Sequence, residues 1–475
     1  MGLPGLNSTT IYKEEKEMIT EKLAHFVAET GVDGIPQDAL NIARMGITDC
    51  IGVTFPGSLE PLGKIMRDYA RKMGGVNDCS IIGSDLKTSP YLAALVNGTM
   101  GHALDYDDMG GFGHPSVALA PAVLAIGESI GTSGKDILAA YVIGFEVASC
   151  LCGPLMMSHY TRGWHSTDNF GSLGAAAAAA WLLKLNVHQV RMTLGIVASL
   201  AGGLRQNFGT MTKPLHAGQA AANGIQAALL AQAGFTADEN IIEAPLGFAK
   251  VFGHDEEVDW AKASEGLGKI FNITSPTFSG IAIKPYPSCG GTHCSIDAAL
   301  FLKKEYGLKS DDIAEVELGT NSFMINRLLI HHRPRTGLEG KFSLEYTVAR
   351  ALHSGEVKLK HLTDEGVNEP PVKSLIERTK WVEKYPMPAL GQPLEGLGPQ
   401  SVTVKLKDGK EYSHEVNISK GLPQNPLTPD QFNEKYKDCA STVLSNEGVE
   451  KSLGMLSNLT GVKNVRELME TVTKK

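Results

Sequence analysis

Aromatic side chains are scarce in this 475-residue chain, at 7% of residues. Its interior must therefore be filled by aliphatic side chains and abundant alanine, which favours helices packed closely through small residues. Basic residues are outnumbered, 44 against 52 acids, for a net charge of −8. That balance excludes nucleic acid as the main partner, because phosphate contacts need clustered Lys and Arg. A cationic pocket within an acidic shell remains compatible with it. The seven cysteines are odd in number and scattered from Cys50 to Cys439, which excludes a disulfide framework. The opening residues have neither a basic n-region nor an apolar h-region, so no secretory signal is expected. Gly2 invites myristoylation, but Leu6 stands where that motif needs Ser or Thr. Gly, His, Asp or Lys interrupts the apolar stretches before the ~18 residues of a membrane span, so no membrane partner is expected and the cytoplasm is the expected compartment.

Cofactor signatures are missing too. No G-x-G-x-x-G follows a strand pattern, and there is no H-E-x-x-H or EF-hand loop. The stretch from Gly337 to Phe342 resembles a P-loop tail, but its first Gly is too near and Phe342 follows Lys341. No cofactor and no metal are therefore expected. Acid–base chemistry by His, Lys and Asp is what this leaves.

A chain of this length exceeds one core of ordinary size, which implies two or more domains. Helical periodicity dominates the first half. Leu40, Ala43, Ile47, Cys50 and Ile51 form one stripe, and Leu62, Ile65, Met66, Tyr69 and Met73 another. Ser133 and Asp136 read as a capping box opening the run Ile137–Val147. Segments 171–185, 187–203 and 215–233 read as successive buried helices of an all-α domain. Past residue 265 the texture changes: 293–306 is helix-like, Ile313–Leu318 alternates, and 341–353 suits a helix. Ser401–Leu406 and Glu411–Ile418 flank the turn Lys407–Lys410 as a hairpin. The fold class is mainly α. A large all-α helical domain, residues 1–267 with 421–475, accompanies a smaller α+β domain at 268–420.

Chemically informative residues cluster in Gly- or Pro-bearing segments, where backbone can approach a ligand. The segment 102–116 packs Asp105, Asp107 and Asp108 with His102 and His114 around a Gly-rich turn; Pro115 biases His114 away from helix. The second segment, Arg162–Thr167, sets His165 beside Trp164. In the third, 207–218, Lys213 precedes Pro214, taken as the first helical position, with His216 following. A Lys at a helix N-terminus opposes the dipole, which makes sense if it meets an anion or serves as an acid or base. The fourth, 284–294, carries Lys284, Ser288, Cys289 and His293, with Gly290 and Gly291 freeing backbone N–H groups for an anion. Each has an ordinary alternative, a solvated turn or a surface His or Lys. A zinc site is not supported, since Cys289, His293 and Cys294 lack a second pair of ligands.

In this order D-Y-D-D and G-H-P-S, then G-W-H, M-T-K-P-L-H-A-G-x-A-A-x-N-G, K-P-Y-P-S-C-G-G-T-H and R-T-G-L-E-G-K-F-S resemble the MmgE/PrpD family across about residues 18–470. That family includes 2-methylcitrate dehydratases, cis-aconitate decarboxylases and an iminodisuccinate epimerase. The resemblance implies a helical domain with an inserted α+β lid, a cleft between them as active site, and homodimers. It places the family's site residues on Asp105, His114, His165, Lys213 and Lys284, with His216, Ser288, Cys289 and Lys341 near. The expected activity is a cofactor-free lyase acting beside a carboxylate of a small di- or tricarboxylic acid, of the 2-methylcitrate dehydratase kind. The alternatives are an epimerase of a dicarboxylate such as iminodisuccinate, a cis-aconitate decarboxylase, or a non-catalytic carboxylate-binding protein. Met109 stands where the decarboxylase branch has Thr, and Cys289 where it has His, so decarboxylation is expected to be absent or slow.

Overall fold

The structure is a computed structural model that describes residues 18–253, 258–386 and 397–474. The segment bearing Gly2 and Leu6 lies outside the described residues. The architecture is mainly α, as the periodicity predicts.

The stripes become helices α1 (Gln37–Leu59) and α2 (Pro61–Met73). The second stripe is only half right. Leu62 and Met66 are buried, whereas Ile65, Tyr69 and Met73 are exposed, so α2 sits on the surface along a narrower seam than the pattern suggested. Next come α3 (Pro90–Gly101) and α4 (Pro115–Ile130), each with Pro at a first-turn position. α5 (Gly134–Thr161) opens as expected, with Ser133 accepting from the Asp136 backbone N–H, but runs beyond the expected Val147 to Thr161. By length and composition α5 is apolar enough to cross a membrane, contrary to the reading that no stretch was; 83% of that apolar window is packed inside the protein.

The three Ala- and Gly-rich segments form α6 (Ser166–Leu182), α7 (Val187–Ala198) and α8 (Thr212–Gln232). Helix α8 begins two residues before Pro214, so Lys213 lies in its first turn. Small residues set how closely these helices approach. Ala175 to Ala180 on α6 are fully buried. Where α3 crosses α8, a Cβ on Gly98 would lie 2.7 Å from the Gly218 Cα, and one on Gly218 2.1 Å from the Leu95 carbonyl oxygen. This glycine contact brings the C-terminal end of α3 against the N-terminal end of α8, and so brings residues 102–105 to Lys213.

A second core gathers around α9 (His293–Tyr306), α10 (Leu344–Ser354) and a four-stranded sheet. Its strands are β1 (Ile313–Thr320), β2 (Thr379–Glu383), β3 (Gln400–Leu406) and β4 (Glu411–Val416), in spatial order β2-β1-β3-β4. β1 pairs parallel with β2 and antiparallel with β3, and β3–β4 is the expected hairpin. The tail helix α11 (Pro429–Ala440) returns to the first core, where Phe432 and Tyr436 pack beside α1.

Candidate active site

The chain leaves α3 at His102 and turns back tightly before α4. Within that turn Asp105 adopts a left-handed backbone conformation, φ 50°, which Asp tolerates better than most residues. Lysines from separate parts of the fold hold the turn. Lys341 Nζ donates to the Ala103 carbonyl at 3.1 Å, Lys284 Nζ to the Asp105 carbonyl at 2.7 Å, and Lys435 Nζ on α11 to the Tyr106 carbonyl at 2.8 Å. A fourth, Lys213 Nζ, donates to Asp105 Oδ1 at 2.6 Å, and Lys284 Nζ stands 3.4 Å from the same oxygen. Burial works to raise the Asp105 carboxyl, but Lys213, Lys284 and His114 outweigh it and hold it well below the usual carboxylate range. The unfavourable placement of Lys213 in the first turn of α8 is thus offset by an ion pair. Its ammonium also lies 5.2 and 5.1 Å from the Phe208 and Phe342 ring centres.

Four imidazoles run beside this pair. Successive ring centres are 4.4 Å apart for His114 and His102, 6.2 Å for His102 and His165, and 5.2 Å for His165 and His216. His102 Nδ1 is 2.9 Å from Asp107 Oδ1, and His114 Nδ1 is 3.0 Å from the Asp108 carbonyl oxygen. His165 Nδ1 meets His216 Nδ1 at 3.0 Å. One of those nitrogens must donate and the other accept, so the two rings cannot both be charged. Burial, then the nearby Lys213 and His216, push His165 well below the ordinary imidazole value. His114 is lowered too, burial and the two lysines outweighing Asp107. Burial takes His216 down to about 4 and His102 to about 3. These rings are neutral at neutral pH, the form in which an imidazole accepts a proton.

The cluster faces a cavity of about 150 Å³ between the two cores. Asp105, His114, His165, Lys213 and Cys289 line it. Lys284, fully buried, stands behind Asp105, and His216 behind His165. Lys341 likewise stands behind the surface, on the Ala103 carbonyl, its ammonium lowered to about 8 by burial. Ser288 turns away: its Oγ lies 2.8 Å from Thr292 Oγ1 inside the second core. The Cys289 thiol is pushed up to about 11 by burial and by Asp105, so it stays protonated at neutral pH. Of the three acids in the turn, only Asp105 lines the cavity. Asp108 is held by Ser116, which also contacts the Tyr141 hydroxyl at 2.6 Å. His102 and Asp107, marked in the sequence as part of the acidic turn but not as site residues, are fixed against each other below the surface; Phe208, edge-on to His165 at 5.0 Å, is a site residue that the sequence did not single out.

Ligand atoms of His102, Asp105, Asp107 and His114 lie within 4.8 Å of one another, near enough to share a metal ion. Two ammoniums already stand 2.6 and 3.4 Å from Oδ1 of Asp105, on the carboxylate that such an ion would share. A divalent cation there would face both at close range, so this donor set does not fit one.

Neutral imidazoles beside an ammonium–carboxylate cluster are groups that can move a proton next to an anion. Two family models match the chain: the MmgE/PrpD N-terminal domain over residues 21–261 and the MmgE/PrpD C-terminal domain over residues 286–460. The chain belongs to the MmgE/PrpD family. It is 29% identical over 485 residues to the cis-aconitate decarboxylase-like protein oryM of Aspergillus oryzae, covering 96% of this chain and 97% of that one. With the cis-aconitate decarboxylase of Homo sapiens it shares 27% over 459 residues, 94% of this chain and 92% of that one. A mitochondrial 2-methylcitrate dehydratase of Yarrowia lipolytica is 23% identical over 440 residues, 86% of this chain and 81% of its own. The relatives are lyases, and the chain is an enzyme of that kind.

Proposed function

We propose that the protein is a cofactor-free lyase that adds or removes water beside a carboxylate of a small polycarboxylic acid, in the manner of a 2-methylcitrate dehydratase. The observation that carries this reading is the convergence of His114, His165 and the Lys213–Asp105 pair, from three separate segments, on one cavity. His114 and His165 are the proton carriers. One takes the proton from the carbon next to the substrate carboxylate, and the C–H electron pair moves into that carboxylate. Lys213, in the cavity wall, holds the resulting dianionic form, and Lys284 behind Asp105 adds its positive charge to the site. The pair then returns to make a C=C bond as the neighbouring C–O bond breaks. An imidazolium in surroundings that disfavour its charge is a strong acid, and it hands the proton to the departing hydroxyl to give water. Asp105 sets both ammoniums in place. The α+β unit, 268–420, acts as a lid over this cleft, and the enzyme works as a cytoplasmic homodimer.

Decarboxylation is the second reading, favoured by the decarboxylase relatives that align over more than nine-tenths of the chain. Loss of CO₂ leaves an electron pair on carbon that needs a donor at once. Met109 has no proton to give, and the Cys289 thiol, pushed up to about 11, is a weak acid. Dehydration asks nothing of those two positions. Incubating the protein with citrate, 2-methylcitrate, cis-aconitate and iminodisuccinate, and following products by NMR, tests the ranking. Hydration or dehydration products support it, and efficient itaconate formation from cis-aconitate overturns it.

A further inference from the structure

Of the buried lysines that hold carbonyls of the 102–106 turn, one comes from the tail of the chain. Lys435 lies on α11, 329 residues beyond Tyr106, and its Nζ donates to the Tyr106 carbonyl at 2.8 Å. The same ammonium pairs with Asp49 on α1 at 2.6 Å, with both side chains buried. It also lies 4.1 Å from the centre of the Tyr106 ring, whose hydroxyl reaches the Pro285 carbonyl, next to Lys284, at 3.4 Å. Helix α11 is itself locked onto α1. Tyr436 stands edge-on to Phe55, and a Cβ on Gly52 would lie 3.0 Å from the Tyr436 ring. Lys435 is not among the residues that line the cavity. Stability alone does not account for its ion pair, because apolar side chains of similar volume often serve a buried position as well. What the contact does is geometric. Lys284 fixes the peptide plane that follows Asp105, and Lys435 the plane that follows Tyr106. Asp105 precedes both with a φ of 50°, a conformation that surrounding contacts must hold. With two successive planes fixed, Asp105 Oδ1 is kept 2.6 Å from Lys213 and 3.4 Å from Lys284.

We infer that Lys435, oriented by Asp49, is a positioning residue for the reaction: from outside the cavity the tail helix sets the Asp105 turn, and through it the Lys213 ammonium. This rests on the proposed role of Lys213 in holding the charge that develops on the substrate. It adds that α1 and the tail decide where that ammonium stands.

The test compares the full-length protein with Lys435→Met and Asp49→Asn/Lys435→Met, using citrate, 2-methylcitrate, cis-aconitate and iminodisuccinate as substrates and following products by NMR. The single variant strands the Asp49 carboxylate and should lower the thermal unfolding midpoint; the double variant removes that charge and should recover most of the loss. In both, kcat should fall about 10–100-fold, the cost of misplacing a group by about 1 Å. KM should change by less than about threefold, because Lys213 still lines the cavity and can bind a carboxylate while its alignment with the transition state is lost. Hydrogen–deuterium exchange of the unliganded double variant, read by mass spectrometry, should quicken in peptides spanning 102–110 and stay unchanged in α8. A double variant with the parent's kcat overturns the inference, since the pair would then serve the fold alone. So does a rise in KM at constant kcat, or unchanged exchange in the turn. If the parent turns over none of these acids, the proposed function fails and the inference falls with it. A parent that turns one over, matched by the double variant, sinks the inference alone.

Discussion

Replacing Lys213 by Met removes the ammonium and keeps most of the side-chain volume. The structure separates what that costs the fold from what it costs the chemistry. Asp105 would be left buried, with Lys284 at 3.4 Å and His114 at 3.7 Å as its remaining cationic or polar neighbours. Breaking a buried ion pair by removing one partner typically costs about 3–5 kcal/mol. Because Lys284 stays, a loss near the low end, about 3 kcal/mol, is expected for Lys213→Met. The double variant Asp105→Asn/Lys213→Met removes the stranded charge, and Asn tolerates the left-handed backbone that position 105 requires. It should recover at least half of the lost stability, measured by equilibrium urea unfolding followed by circular dichroism. Activity should not recover with it. Both variants should lose about 10²–10⁴ in kcat/KM, the range for removing a general acid or base or a charge-stabilising group. If Lys213→Met stays within tenfold of the parent, or if activity returns with stability in the double variant, Lys213 serves only the fold and the reasoning fails.

Further perturbations probe other parts of the account. His165→Ala should lower kcat/KM by about 10²–10⁴ with the fold intact by circular dichroism, whereas His216→Asn, acting through His165, should cost about tenfold; equal losses would contradict the assignment of His216 as a positioning residue. His114 and His165 are held below the ordinary imidazole value, so they remain neutral bases as pH falls, and the acid limb of kcat/KM should lie below about pH 6.5. A limb at or above that value would contradict burial as the controlling influence. Gly218→Ala would drive a methyl into the Leu95 carbonyl where α3 crosses α8, and should destabilise by at least about 1–3 kcal/mol in thermal or urea unfolding. Exhaustive dialysis against EDTA should leave activity unchanged; loss restored by a divalent ion would overturn the cofactor-free proposal.

Much of this was legible in the chain because the small residues that let helices approach are also those that mark their paths. The Ala-rich stretches of α6 and α8 announce buried helices, and the turn at Lys407–Lys410 announces its hairpin. The motif lysines and histidines could be singled out because they stand beside Gly and Pro, where loops meet helices. His102 was marked only as part of the acidic turn, because folding alone sets it against Asp107 and between the rings of His114 and His165. Strand β2 was missed for a related reason. Thr379–Glu383 is short and mostly solvated, and its pairing with β1 spans about sixty residues of chain. The length of α5 was hidden by Pro154, which the helix carries without ending.

The central claim is that this cavity moves a proton at carbon beside a carboxylate, and solvent isotope incorporation measures that event itself. The unmodified protein would be incubated in D₂O with 2-methylcitrate, cis-aconitate and citrate, and deuterium at the carbon next to each carboxylate followed by NMR, with His165→Ala as control. The account expects enzyme-dependent incorporation into at least one acid or its product, lost in the variant. Binding of these acids without deuterium uptake or turnover, or equal uptake by His165→Ala, would contradict it.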